Sequence, residues 1–327
     1  MTGAGTSAHI AEICARHLMA RTGRAVRAVP STDLVADPYG VLSPNQPRVL
    51  VSLARSGDSP ESLAAVHAAD ALAPTLHVAV TCNSEGRLAE ELRRHDRAEI
   101  LCLPPATNDV GFAMTSSATS MLLAAVTLFE PSPPEDLTWL PASAAALLAG
   151  RDPLAAVGPS ALGRVVYLGS GPLAGCAREA ALKLLELTAG QVVATAESSL
   201  GFRHGPKAIL DADSLAVVLV SSDPVRRRYD LDLAAELEQS PRGPRVVVLS
   251  APDLVLEGSA GSDVPPELDD ARLAMLMLVS AQLLAVRTSQ ALGLATDQPF
   301  PDGELNRVVP GFPIQPVEQP APTSAHH

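Results

Sequence analysis

Short Val- and Leu-rich runs recur along the chain, at Val26–Val29, Val49–Leu53, Leu76–Thr81 and Ile100–Leu103, then at Val165–Leu168, Leu215–Val220 and Val246–Leu249. Between them lie stretches whose apolar positions return every three or four residues. A short continuous apolar run fits a strand buried on both faces, and a period near 3.6 fits a helix. Alternation at this pace predicts βαβ units and a parallel sheet, hence an α/β fold. The longest apolar run, Leu273 to Val286, contains Gln282 and stops at Arg287. It falls short of the roughly 20 residues that a membrane-spanning helix needs, so it predicts a core or interface helix. The Pro-rich segment from Glu130 to Leu137 reads as a linker, and after Leu294 the chain becomes rich in Pro and Gly without periodicity.

The pattern also repeats. Aligning Gly3 with Gly169 superposes Gly5 on Gly171, Ala8 on Ala174 and Ala11 on Ala177, each a glycine turn that feeds a helix. Further along, the run from Val49 corresponds to the run from Val217. Two copies of one doubly wound unit are the simplest account. The expected division is a first domain over residues 1–133, a second over 134–300, and a tail over 301–327. Only Met1 and Thr2 precede Gly3. A first strand of about 5 residues, with a helix before it, is therefore expected to lie upstream of this sequence.

Composition narrows the class. At 327 residues the chain is long enough for two domains, and a single core for the whole is not expected. Apolar residues make up 47% but aromatics only 3%, so the interior must be built from Ala, Leu and Val, as in helix-covered parallel sheets. With 24 Lys and Arg against 36 Asp and Glu, the net charge of −12 argues against nucleic acid or an anionic membrane as partner. An anionic ligand would have to be captured locally. Cys14, Cys82, Cys102 and Cys176 lie far apart without a C-x-x-C pair, which fits free thiols in a reducing cytoplasm. No charged and apolar leader opens the chain, and a cytoplasmic location is expected.

Three stretches carry candidate chemistry. Thr6 and Ser7 follow the first glycine turn, and Arg55, Ser56 and Ser59 follow the Val49–Leu53 strand. At the carboxyl ends of parallel strands such turns converge, and helix N-termini with hydroxyls make an anion cradle. Ser56 and Ser59 could equally serve as helix caps, with Glu61 or Ser62 in the first turn. The second copy lacks these groups, since Leu173 stands where Ser7 does and the turn becomes Ser222, Asp223 and Pro224. It offers instead the helix REAALKLLEL, in which Glu179, Lys183 and Glu186 form one stripe among Ala and Leu. A helix apolar nearly all round is buried, so its charges must face a cleft or an interface; the plainer alternative is a surface Glu179–Lys183 pair. The segment AESSLGFRHGPKAIL then holds His204 between glycine turns beside Arg203 and Lys207, an acid/base candidate. His9, His17, His67, His77 and His95 lack metal-ligand spacing and receive no role, and neither a metal nor a cofactor is expected.

These motifs, TGAGTS, ARSGDSPES, REAALKLLEL, GFRHGPKAIL and the tail PDGELNRVV, together resemble the sugar isomerase (SIS) domain proteins. The nearest resemblance is to the tagatose-6-phosphate ketose/aldose isomerases, also described as galactosamine-6-phosphate deaminase/isomerases. It covers nearly the whole chain. It implies two tandem SIS domains, each a flavodoxin-like five-stranded parallel sheet between helices, in a homodimer or larger homo-oligomer with shared active sites. It implies that Ser7, Ser56 and Ser59 bind the substrate phosphate with Arg55 beside them, that Thr6 lies near the sugar hydroxyls, and that the stretch from Gly111, with Thr115, lines another side. Glu186 matches the carboxylate that moves a proton between C1 and C2, Lys183 the lysine beside it, and His204 the ring-opening histidine from the partner subunit. Two positions depart from the more distant glucosamine-6-phosphate synthase. Arg307 stands where a tail lysine enters the site, and arginine does not readily give up its proton. Ala54 replaces a phosphate-binding serine. That enzyme's glutaminase domain has no counterpart in this sequence.

The implied reaction is aldose–ketose isomerisation of an amino-sugar 6-phosphate with loss of ammonia, and plain ketose/aldose isomerisation would use the same residues. A non-catalytic sugar-phosphate sensor is the rival from another class, disfavoured by the presence of both Glu186 and His204. A dinucleotide reading of GAGTSA and GSGPLA rests on G-x-G-x-x-A alone, with no ribose-binding acid in place.

Overall fold

The computed structural model describes residues 1–133, 136–158, 162–255, 268–308, 311 and 313–315. The first half runs β1 (Thr2–Gly3), α1 (Thr6–Thr22), β2 (Val29–Pro30), α2 (Ser31–Ala36), α3 (Pro38–Val41), β3 (Arg48–Ala54), α4 (Pro60–Leu72), β4 (Thr75–Thr81), α5 (Arg87–Leu92), β5 (Ala98–Cys102) and α6 (Ser116–Phe129). The helix α7 (Trp139–Ala146) leads into β6 (Arg164–Gly169), α8 (Pro172–Leu187), β7 (Val193–Glu197), β8 (Ser214–Leu219), α9 (Pro224–Glu238), β9 (Arg245–Leu249), α10 (Ala251–Leu254) and α11 (Asp270–Ala291). One sheet has the order β2-β1-β3-β4-β5 and the other β7-β6-β8-β9, and every pairing is parallel.

Four expectations need correction. Part of the first strand lies within this sequence: Thr2 pairs with both Val29 and Ser52, so a two-residue β1 stands between β2 and β3. The run at Val26–Val29 enters the sheet only at its end, as Val29–Pro30. The second sheet has four strands among the described residues rather than five, and one of them, β7, was not expected. Its residues are Val-Ala-Thr-Ala-Glu, an edge strand whose small side chains give no apolar run to read.

The fourth correction concerns the core. One cluster of buried side chains runs through both halves, from Ile10, Leu53 and Met121 to Tyr167, Leu184 and Leu276. The link is α8, which packs on α1 from the first half and on α11. At Gly175 the two helices come so close that a Cβ would lie 2.9 Å from the His9 carbonyl and 2.9 Å from the Ile13 side chain. The helix α11 contains the whole Leu273–Val286 run. By length and apolarity it could cross a membrane, yet 78% of its most apolar stretch is buried inside the protein. Each leucine buried there is worth about 1.5–3 kcal/mol, which explains so apolar a sequence without a membrane. The Asp269 carboxylate caps this helix, accepting from the Ala271 and Arg272 amides at 2.9 Å.

Candidate active site

The two glycine turns share one backbone shape. Gly5 has φ 54° and ψ −125° before α1, and Gly171 has φ 57° and ψ −132° before α8, a left-handed region that glycine enters without strain. Both turns lie at the carboxyl end of a central strand, where ligands bind in open α/β sheets. The packing of α1 against α8 brings the first turn over the charged stripe of the second half.

There Lys183 is the centre of a buried network. Its Nζ donates to Thr6 Oγ1 at 3.0 Å and to the Glu186 carboxylate, and lies 3.5 Å from Glu179 Oε1. Thr6 Oγ1 in turn donates to Glu179 Oε1 at 3.0 Å, and His9 Nδ1 lies 3.1 Å from Glu179 Oε2. The side chains of Lys183 and Glu179 are fully buried, so they are not a surface pair. Glu186 keeps 22% of its side chain exposed and His9 24%, so these two groups of the network meet solvent while Lys183 and Glu179 do not. Burial works against the charge on Lys183, but Glu179 and Glu186 outweigh it and raise its pKa, so the ammonium persists. Burial also raises the pKa of Glu186, against the pull of Lys183. A half-open carboxylate whose proton affinity is raised by burial is suited to carrying a proton between carbons. Thr6 holds Lys183 and Glu179 together through its hydroxyl.

The serine turn stands on the first sheet. Ser59 occupies the N-cap of α4 but its hydroxyl makes no capping bond, and no capping box forms with Glu61. Ser7 is buried and its hydroxyl also makes no hydrogen bond among the described residues. Ser56 Oγ accepts only from the Asp58 amide, at 3.2 Å. Helix capping does not use the Ser59 hydroxyl.

Around this turn the expected neighbours are differently employed. Arg55 Nη1 donates to the Phe112 carbonyl at 3.3 Å and Nη2 to the Arg307 carbonyl at 2.8 Å. Arg307 Nη2 donates to Asn108 Oδ1 at 2.7 Å and to the Asp109 carbonyl. The Thr115 hydroxyl donates to Asp109 Oδ1 at 2.7 Å, and the amides of Thr115, Ser116 and Ser117 bind the same carboxylate at 2.9–3.1 Å. Burial opposes the charge on Asp109, but the hydroxyls of Ser117, Ser116 and Thr115 prevail and hold its pKa at about 2. Thr115 thus braces the start of α6, and its hydroxyl is not free.

His204 sits exposed in the short turn Gly201–His204. The cations on either side of it are pinned, Arg203 Nε by Glu236 Oε2 at 2.7 Å and Lys207 by the same carboxylate. Within one chain no hydrogen bond joins His204 to Glu186 or Lys183, so the network and this imidazole are not brought together.

Several residues escaped the sequence. His9 lies three residues after Thr6, one helical turn on, a spacing that could have flagged it. Glu130, placed in the linker, is buried and accepts from Arg272 at 2.6 Å, Arg21 at 3.0 Å and His17 at 3.3 Å. His77 and His95 both bond Asp70, at 2.9 and 3.1 Å. Chain spacing could not show either cluster, because the partners come from separate elements.

Paired parallel sheets with an open serine turn facing a buried lysine–carboxylate helix define the class: this is a SIS-domain protein, and the SIS domain model matches residues 1–131. The putative D-galactosamine-6-phosphate deaminase AgaS of Streptomyces coelicolor is 50% identical over 324 residues, covering 96% of this chain and 84% of that protein. The D-galactosamine-6-phosphate deaminase AgaS of Escherichia coli is 42% identical, covering 97% and 84%. The crystal structure of tagatose-6-phosphate ketose/aldose isomerase from Escherichia coli superposes with a TM-score of 0.84 at 39% identity, covering 97% of this chain and 85% of that one. The chain belongs to the AgaS family.

Proposed function

We propose that this chain converts galactosamine 6-phosphate and water into tagatose 6-phosphate and ammonia. The observation that carries the reading is the half-open, proton-poised Glu186 on a buried Lys183–Thr6–Glu179 network, with the Ser7 and Ser59 hydroxyls unbonded among the described residues and that of Ser56 accepting only from the Asp58 amide. The similarity to the AgaS deaminases over nearly the whole chain supports it. In this reading Ser7, Ser56 and Ser59 bind the phosphate. Glu186 takes the C2 proton of the open-chain aldose, and the electron pair forms an enolamine across C1 and C2. The same carboxyl returns the proton to C1, leaving an imine at C2. Water adds to that imine and ammonia leaves. Lys183 holds Glu186 in place and keeps the anion in reach. His204, exposed on its own chain, serves ring opening in the partner's site, which makes the working unit a cytoplasmic homodimer.

A second reading, interconversion of tagatose 6-phosphate with its aldose without deamination, draws on the tagatose-6-phosphate isomerase likeness. The test is ammonia release and ketose formation from galactosamine 6-phosphate and glucosamine 6-phosphate, with Glu186→Gln as control. Ammonia from the galacto epimer, lost in the variant, is the expected result. Ketose–aldose exchange without ammonia would favour the second reading. Binding without any turnover would make the chain a sugar-phosphate sensor.

A further inference from the structure

We propose that Arg55 is a positioning residue that latches the C-terminal strap and the loop before α6 onto the serine turn, and that it is not a ligand of the phosphate. Arg55 immediately follows β3, and its side chain is almost fully buried. Both terminal nitrogens are committed, one to the Phe112 carbonyl and the other to the Arg307 carbonyl. Those carbonyls belong to segments far apart in the chain, and neither is an anion. The planar fork that would grip a phosphate bidentately is therefore spread between two strips of backbone.

The strips form one unit. The Arg307 side chain reaches back to Asn108 and the Asp109 carbonyl, so the two arginines interlock: Arg55 holds the backbone of Arg307, and Arg307 holds the loop that carries Phe112. The Phe112 amide bonds the Asp297 carbonyl at 3.0 Å, and the rings of Phe112 and Phe300 lie 5.3 Å apart. The Asp109 carboxylate then fixes the loop to the first turn of α6 through Thr115, Ser116 and Ser117. Arg55 is where this unit meets the turn that carries Ser56 and Ser59. It also lies in the electrostatic field of Arg307, Asp109 and Glu186.

The catalytic part of this inference rests on the proposed deaminase reading; the latch itself does not. The test compares Arg55→Met and Arg55→Lys in the full chain. Without substrate, amide hydrogen exchange over residues 297–308 and 108–112 should speed up on the order of 10- to 100-fold in both variants, the loss expected when a charged donor leaves its acceptors. Lysine keeps the charge but cannot span both carbonyls, so it should not rescue. Affinity for inorganic phosphate should stay as in the parent protein, and turnover should fall through kcat with KM unchanged. Unchanged exchange in the strap would overturn the latch, whatever the kinetics. So would a loss of phosphate affinity in Arg55→Met that Arg55→Lys restores, because that is the behaviour of a phosphate ligand. Should Arg55→Met fail to fold, Asn108→Ala loosens the same strap from its other end, and exchange confined to 297–308 must still rise. If the parent protein turns over no amino-sugar phosphate, the functional reading fails while the exchange result still decides the latch.

Discussion

Removing the Thr6 hydroxyl tests whether the active-site network joins the two halves. In Thr6→Val the side chain keeps its branched shape, so the change is chemical more than steric. The variant loses one bond from the Lys183 ammonium and one to the Glu179 carboxylate, each 3.0 Å long and fully out of water. Hydrogen bonds to charged groups contribute about 1.5–3 kcal/mol each, so the gross loss is about 3–6 kcal/mol. Lys183 and Glu179 are already 3.5 Å apart and can close into a direct pair. That recovers part of the loss and leaves a net cost of roughly 2–4 kcal/mol. For a chain of this size such a cost lowers Tm by roughly 3–6 °C. Urea unfolding near neutral pH, followed by far-UV circular dichroism, measures it, with Thr6→Ser restoring the hydroxyl and the stability. A Thr6→Val protein within about 0.5 kcal/mol of the parent, the range of ordinary surface changes, would refute the account.

Other expectations follow from the same geometry. Ser59→Ala should leave stability within about 0.5 kcal/mol of the parent, whereas Asp223→Ala, which removes bonds to the Val225 and Arg226 amides at 3.0 Å, should cost about 0.5–2 kcal/mol. Sugar-phosphate affinity should show the reverse order, read by calorimetric titration. Glu130→Ala should cost about 3–5 kcal/mol in urea unfolding, because it strips Arg272, Arg21 and His17 of a shared buried acceptor. The pH profile of kcat/KM should have an acid limb above the ordinary glutamate value of 4.5, since burial raises the pKa of Glu186 and the base must be ionised to act. The same shift has a sign for stability. As pH rises from the unfolded value through the raised folded one, the folded chain holds a proton that the unfolded chain has lost, so Glu186 lowers stability across that window. Glu186→Gln should flatten the slope there.

The alternation of Val/Leu runs with helical stretches was enough to read the parallel α/β class and six of the strands, because buried parallel strands must be apolar on both faces. β7 escaped because an edge strand of Ala and Thr gives no such signal. The cluster shared by the two halves was missed for a different reason: composition counts apolar residues but does not say that Gly175 lets α1 and α8 touch. At the site the stripe Glu179–Lys183–Glu186 was legible from helical spacing, and Ser59 from its place after a strand. The engagement of Thr6, Arg55, Thr115 and Arg307 was not legible, since each bonds a residue that is distant in sequence or on a separate loop. Motifs name the residue types near a ligand; only packing tells which of them are already taken.

The second half shows the same rule from the other side. Its glycine turn copies the first in backbone angle, and serines again gather at the carboxyl ends of its strands, yet those serines are satisfied from within. Ser170 and Ser199 hydroxyls and the Ser221 amide bond the Asp230 carboxylate at 2.5–3.0 Å. The Ser221 hydroxyl and both polar groups of Ser222 bond Asp270 at 2.6–2.8 Å, with Arg226 at 3.1 Å. Two carboxylates stand where an anionic ligand would, so the donors that could welcome a phosphate are already charged-paired, and a second anion would meet two negative groups at close range. The asymmetry between the halves is therefore made by side chains from α9 and α11, laid over a turn geometry that both halves keep. One half leaves the Ser7 and Ser59 hydroxyls unbonded among the described residues, and the other uses the same kind of donors to fasten its own helices.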